Sequence, residues 1–329
     1  MKFRKIALVV APVISMFIMC SCFSQGSSHK DPNVVAKIQK ELIKRDEVDQ
    51  YYSGLENGFI SQYGDKYKES EDFKLIYLDL VKQYVEQKTL VQLAKDDGVV
   101  NESTIQEKVD KELENMKSVF GSDEAFTTAI INSRFKDEED YKNKLKISFI
   151  IEELISKETE NLKISTNDIK KYYEENSDKF LKSPGADVYH IFLKDEATAT
   201  EVLGKLDAGE DFSDLAKLYS QDGSASVGGY LGYQEYDKSQ LVEEFMNEVK
   251  DMEAEEVRGP VKTQFGYHII KVDNVHKEEW VEEFDRVSKN IEETLKADRI
   301  NQVMDSLIKK ASEKYKVKIF EDNIVGKKE

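Results

Sequence analysis

The sequence predicts an α+β fold in which a segment of four strands with surrounding helices is inserted in an all-α module. Three observations predict it. From Val34 to about Phe180, apolar residues recur at helical spacing with few breakers and no period-two strand of any length. From Pro184 and Gly185, short apolar runs alternate with Gly- and Ser-rich turns. After Val275 helical spacing returns through Phe284, Val287, Ile291 and Leu295, then Ile300, Val303, Leu307 and Ala311. At 329 residues the chain allows roughly two or three domains. The segments expected are 1–21, 22–33, 34–183, 184–277 and 278–329.

The first element reads as a secretion signal. Lys2, Arg4 and Lys5 precede an apolar run from Ile6 to Met19, which ends in small residues and cysteine. That run is short for a spanning helix, which needs about 20 residues. It resembles a bacterial lipoprotein signal, with Cys22 after Ser21 as the lipidated residue and Met19 where Leu is usual. An ordinary cleaved signal or an uncleaved anchor is the plainer alternative. A mature chain starting at Cys22 would hold no second cysteine and no disulfide. Phe23 to Asn33 reads as a flexible tether.

In the following module, Ser103 and Gln106 suggest a capping box for a helix with Ile105, Val109, Leu113, Met116 and Phe120 on one face, ended by Gly121. A short helix carries Phe126 and Ile130, and a longer one carries Tyr141, Leu145, Phe149, Ile150 and Leu154. These helices show no metal-ligand spacing and no Gly-rich loop, so pattern alone gives a helical bundle. The C-terminal stripe steps once, which suggests a bend or break near Ala297, and Tyr315 to Phe320 reads as a closing strand. That tail is expected to return to the N-terminal helices.

In the middle segment "ADVYHIFLK" is apolar on both faces, as a central strand would be. A helix closed near Gly209 follows, then one capped by Asp211 with Phe212, Leu215, Ala216 and Tyr219 on one face. A Gly/Ser-rich turn leads to a strand at Tyr230 to Tyr233, then to a helix around Ser239 to Val249. The last two strands are "EVRGPVKT", whose Pro260 fits only an edge or strand end, and "FGYHIIKVD". His268 sits in that last strand and needs a partner for its ring nitrogens.

Composition excludes several classes of function. A net charge of -17 without a basic stripe argues against nucleic-acid binding. Two histidines without Cys or carboxylate ligands at metal spacing make a poor zinc site, and no cofactor is expected.

"YHIFLKD", "FSDLAKLYSQD", "GGYLGY" and "GPVKTQFGYHIIKV" occur in that order. Together they resemble the parvulin-type peptidyl-prolyl isomerase domain over Asp187 to Val275. The flanks, notably "FGSDEAF" and "ISTNDIKKYYEENSDKF", resemble secreted foldases of the PrsA and SurA kind. The resemblance implies an antiparallel-type sheet in which His190 and His268 lie side by side, with Thr263 near them. It implies Asp222 as the polar catalytic group, acting on the amide oxygen or organising the histidines, and Leu231, Leu241 and Phe245 as an apolar cup for proline. Read alone, Leu241 and Phe245 would be core residues and Asp222 a turn residue. Many relatives have Asp in place of Tyr230 and an aromatic residue in place of Gln234. The implied function is isomerisation of X-Pro bonds in unfolded secreted proteins at the extracytoplasmic face of the membrane, with a homodimer left open. The alternatives are a holdase with a weak or inert parvulin domain and a surface lipoprotein of structural role.

Overall fold

A computed structural model describes residues 24–26 and 28–326 of the chain. The signal segment and Cys22 lie outside the described residues. The chain folds as two compact units, one formed by Ile164–Leu295 and the other by the chain up to Lys163 together with Lys296 onward.

The unit Ile164–Leu295 is built on a four-stranded sheet in the order Tyr230–Glu235, Gly185–Leu193, Tyr267–His276, Val257–Lys262. Every neighbouring pair is antiparallel. The central position of Gly185–Leu193 explains its two apolar faces. Ala186 and Val188 join Phe245, Met246, Val249, Ile270 and Val272 on one side. Ile191 and Leu193 join Ala199, Val202, Phe212, Leu215 and Ile269 on the other. Helices Glu196–Asp207 and Phe212–Tyr219 start at Asp195 and Asp211, whose carboxylates accept from the Thr198 and Asp214 amides. Pro260 lies in the edge strand, where the register shifts between Arg258 and Val261. The helix expected from Ser239 runs instead from Glu243 to Lys250, because the Ser239 hydroxyl is engaged within the preceding loop.

The unit reaches beyond the sheet on both sides. Ile169, Val287 and Ile291 form a small cluster with Tyr173, Phe180 and Phe284 around it. Leu181–Lys182 pairs with Trp280–Val281.

The second unit packs helices Glu71–Asp96, Glu102–Phe120, Asp123–Asn132 and Glu138–Thr159. Its main core joins Leu90, Leu93, Ile105, Ile150 and Leu154 to Met304, Leu307, Ile308 and Ala311 from the C-terminal part. Three sequence expectations are corrected here. The module is not strand-free, since Val34–Ile38 and Glu41–Lys44 form a hairpin, extended by Lys318–Phe320 and Ser24–Gly26. Val34, Val35 and Ala36 are all buried, so this strand shows no alternation in its sequence. Asn101, not Ser103, caps the second helix, its side-chain oxygen accepting from the Ser103 and Thr104 amides at 3.2 Å. Gly121 ends that helix in the left-handed conformation with φ 78°. The helix after Val275 does not break, running unbroken as Phe284–Lys314. Its stripe steps because Val287 and Ile291 pack in one cluster and Leu307 and Ala311 in another.

Among the described residues no helix is long and apolar enough to cross a membrane.

Candidate active site

Alternation on the central strand puts His190 on the face that carries Val188, and the antiparallel register places His268 opposite Phe192 on the adjoining strand. The two imidazoles meet with Nδ1 to Nδ1 at 3.1 Å, stacked at a centroid distance of 5.3 Å. Both residues are buried. The Nε2 of His190 lies 2.8 Å from Asp222 Oδ2, and the Nε2 of His268 lies 2.9 Å from the Thr263 hydroxyl. His190, His268, Asp222 and Thr263 therefore form one connected chain.

The proton positions follow from the donors available. The Phe265 amide donates to Thr263 Oγ1 at 3.2 Å, leaving the hydroxyl proton for His268 Nε2. His268 then donates from Nδ1 to His190 Nδ1, and His190 donates from Nε2 to the carboxylate. With both rings neutral every nitrogen is paired and all bonds point the same way, so each polarises the next.

The far end of the chain is fixed by two hydroxyls. Ser220 and Ser224 donate to Asp222 Oδ1 at 2.9 and 2.8 Å. Ser220 also accepts from the Phe192 amide at 3.0 Å, which ties the Asp222 turn to the central strand. Burial alone would raise the Asp222 carboxyl, but hydrogen bonds from Ser224, His190 and Ser220 outweigh it and hold it below its ordinary value. Burial, reinforced by the neighbouring His190, lowers His268 to about 4. The site thus holds an ionised Asp222 carboxylate at one end and a neutral His268 imidazole toward the other.

Phe245, nearly fully buried, presents its ring edge-on to His268 at 5.3 Å and to His190 at 5.9 Å. Leu231 and Leu241 are half-buried and pack against the cluster that contains Phe245. Phe192 also packs against His268, with centroids 5.2 Å apart and the rings tilted. The strand carrying Leu231 is approached through Gly229, whose carbonyl accepts from the His190 amide at 2.8 Å. A Cβ on Gly229 would collide with the His190 carbonyl oxygen, and φ is +82°, so only glycine fits there.

Tyr230 does not adjoin this face. A bulge makes Tyr230, not Leu231, the partner of Tyr189, and the two rings pack 4.9 Å apart on the opposite side of the sheet. Its hydroxyl donates at 2.8 Å to Asp187, which also pairs with Arg286 at 2.6 Å. A carboxylate at position 230 would therefore not stand beside the leucines.

Sequence reasoning did not single out Ser220, Ser224 or Phe192. Ser220 and Ser224 lie two residues either side of Asp222, the spacing at which serine and aspartate side chains bond within a turn, and that signal was available. The serines donate to Asp222, so neither is set up as a nucleophile with a histidine base. Among the described residues no group of three or more His, Cys, Asp or Glu could hold a metal ion.

Comparison with known sequences gives two domain matches: a PPIC-type PPIase domain over residues 164–289 and a SurA-like N-terminal domain over residues 2–155. The chain is similar to a foldase protein PrsA of Clostridium botulinum strain Loch Maree, 31% identical over 97% of each chain. It is similar to a foldase protein PrsA of Clostridium acetobutylicum, 29% identical over 92% of this chain and 93% of that one. A crystal structure of PrsA from Bacillus subtilis is 26% identical and covers 87% of this chain and 92% of its own, with a TM-score of 0.32.

Proposed function

The chain belongs to the PrsA foldase family and is a peptidyl-prolyl cis-trans isomerase of the parvulin type, and from that premise we propose that the histidine pair and Asp222 form its catalytic centre. The observation that carries the proposal is the unbroken hydrogen-bonded run from Thr263 through His268 and His190 to Asp222, with Phe245 edge-on to both rings.

Rotation about an X-Pro bond is opposed by a barrier of ~18 to 20 kcal/mol, because the twisted amide loses its resonance. No covalent bond breaks, so the site needs no nucleophile; it needs to bind the twisted amide more tightly than the planar one. Leu231, Leu241 and Phe245 hold the proline ring. The planar amide has the more negative oxygen, and the fixed charge of Asp222 at the rim disfavours it relative to the twisted form. His190 and His268 hold Asp222 in place, and their own pairing lets them lie under an apolar surface at no cost in unpaired groups.

The substrates are X-Pro bonds of unfolded secreted chains, which otherwise isomerise over tens to hundreds of seconds. A lipid on Cys22 would hold the protein at the outer face of the membrane, with the helical module binding the same clients. Two assays on the full chain test this reading: isomerisation of an Ala-Pro peptide and aggregation of an unfolded secreted client. Acceleration of the first supports the catalytic centre. Suppressed aggregation with no acceleration assigns the protein to the holdases instead. Mass spectrometry of the mature N-terminus tests the anchor, and an unmodified residue there removes it.

A further inference from the structure

The two leucines assigned to the proline hollow stand on different elements, Leu231 on a strand and Leu241 on the loop before helix Glu243–Lys250. A relay of three hydrogen bonds joins them. The Leu241 amide donates to Ser239 Oγ at 3.2 Å, the Ser239 hydroxyl donates to Gln234 Oε1 at 2.8 Å, and Gln234 Nε2 donates to the Leu231 carbonyl at 2.8 Å. The Ser239 amide is held in turn by the Glu235 carbonyl at 3.0 Å.

Every bond in the relay runs from Leu241 toward Leu231, and the residue at its middle must accept at one atom and donate at another. A glutamine amide does both, whereas a phenylalanine side chain at position 234 would do neither. Packing does not substitute for the relay on that side. Leu241, with Gln234 and Ser239, borders an open groove of about 520 Å³ rather than filled interior.

We propose that Gln234 and Ser239 are positioning residues for isomerisation, fixing the separation of Leu231 and Leu241 to the width of a pyrrolidine ring. This rests on the reading of those leucines as the proline hollow. An apolar pocket that is free to widen loses contact with its ligand quickly, so the relay acts on substrate affinity rather than on the twisting step.

The test measures kcat and KM for an Ala-Pro tetrapeptide on the full chain and its variants Ser239→Ala, Gln234→Leu, the double variant, Ser239→Thr and Leu241→Ala, each checked for folding by circular dichroism. Ser239→Ala and Gln234→Leu should each raise KM about fivefold with kcat unchanged. The double variant should be no worse than either single one, since both break the same relay. Ser239→Thr, which keeps the hydroxyl, should stay near wild type. Unchanged KM in folded Ser239→Ala and Gln234→Leu overturns the proposal, as do losses that simply add. If Leu241→Ala raises KM while the relay variants do not, only the relay fails; if Leu241→Ala also leaves KM unchanged, the hollow fails and the relay's role with it.

Discussion

The two units bury titratable groups in different ways. In the unit with the sheet, His190 and His268 are part of a chain in which each polar atom has a partner. In the helical module, Glu86 is buried on helix Glu71–Asp96, and burial drives its carboxyl up to about 7 against the pull of Lys82. Asp305 and Asp79 add to the rise. In the sheet unit the Asp222 carboxylate keeps its charge through specific hydrogen bonds, whereas Glu86 and His268 are both shifted chiefly by burial, which disfavours the charged form of an acid and of a base alike.

The largest expected effect is therefore an opposite response to pH. Below about 4.5, Glu86 is protonated in both the folded and the unfolded chain. As pH rises from 4.5 to about 7 the unfolded chain gives up that proton and the folded chain keeps it, so the helical module loses on the order of 3 kcal/mol. His268 works in the other direction. As pH falls from 6.5 to about 4 the unfolded chain gains a proton that the folded ring does not take, and the sheet unit loses a comparable amount. Hydrogen exchange of the full chain at pH 4.5 and pH 7, resolved by segment, reads both slopes, and Glu86→Gln should flatten the first alone. A common direction in the two units would break the comparison.

A smaller effect is expected from Thr263→Val, which leaves His268 Nε2 and the Phe265 amide without the hydroxyl. The sheet unit should lose about 2 kcal/mol, and kcat/KM should fall about tenfold. Protection of the helical module should stay as it was. Smaller still, Asn101→Ala removes a cap from helix Glu102–Phe120 and should cost the helical module about 1 kcal/mol, with isomerase activity on a short peptide unaffected. An activity loss in Asn101→Ala would show that the two units are not independent in the way the comparison requires.

The same contrast governs what could be read from the sequence. The central strand was legible because both its faces are apolar, and His268 was legible because a buried imidazole demands a partner, which the motif order supplied as His190. Less was legible where the local pattern had two solutions. Val34–Ile38 lacks alternation because consecutive residues are buried, so it resembles helix. Asn101 and Ser103 are both good caps, and only the backbone shows which one is used. The step in the C-terminal stripe marks a change of packing partner rather than a break, a distinction that depends on residues remote in sequence. The face of Tyr230 is set by a bulge at Leu231, and a bulge inverts every inference drawn from alternation beyond it.

The central claim is that a carboxylate held by the paired imidazoles drives isomerisation, and Asp222→Ala in the full chain tests it most directly. With folding confirmed, kcat/KM for an Ala-Pro peptide should fall about 50-fold, a loss of roughly 2 kcal/mol in transition-state binding, while suppression of client aggregation stays at the wild-type level. A folded Asp222→Ala protein that isomerises the peptide as fast as wild type would contradict the account.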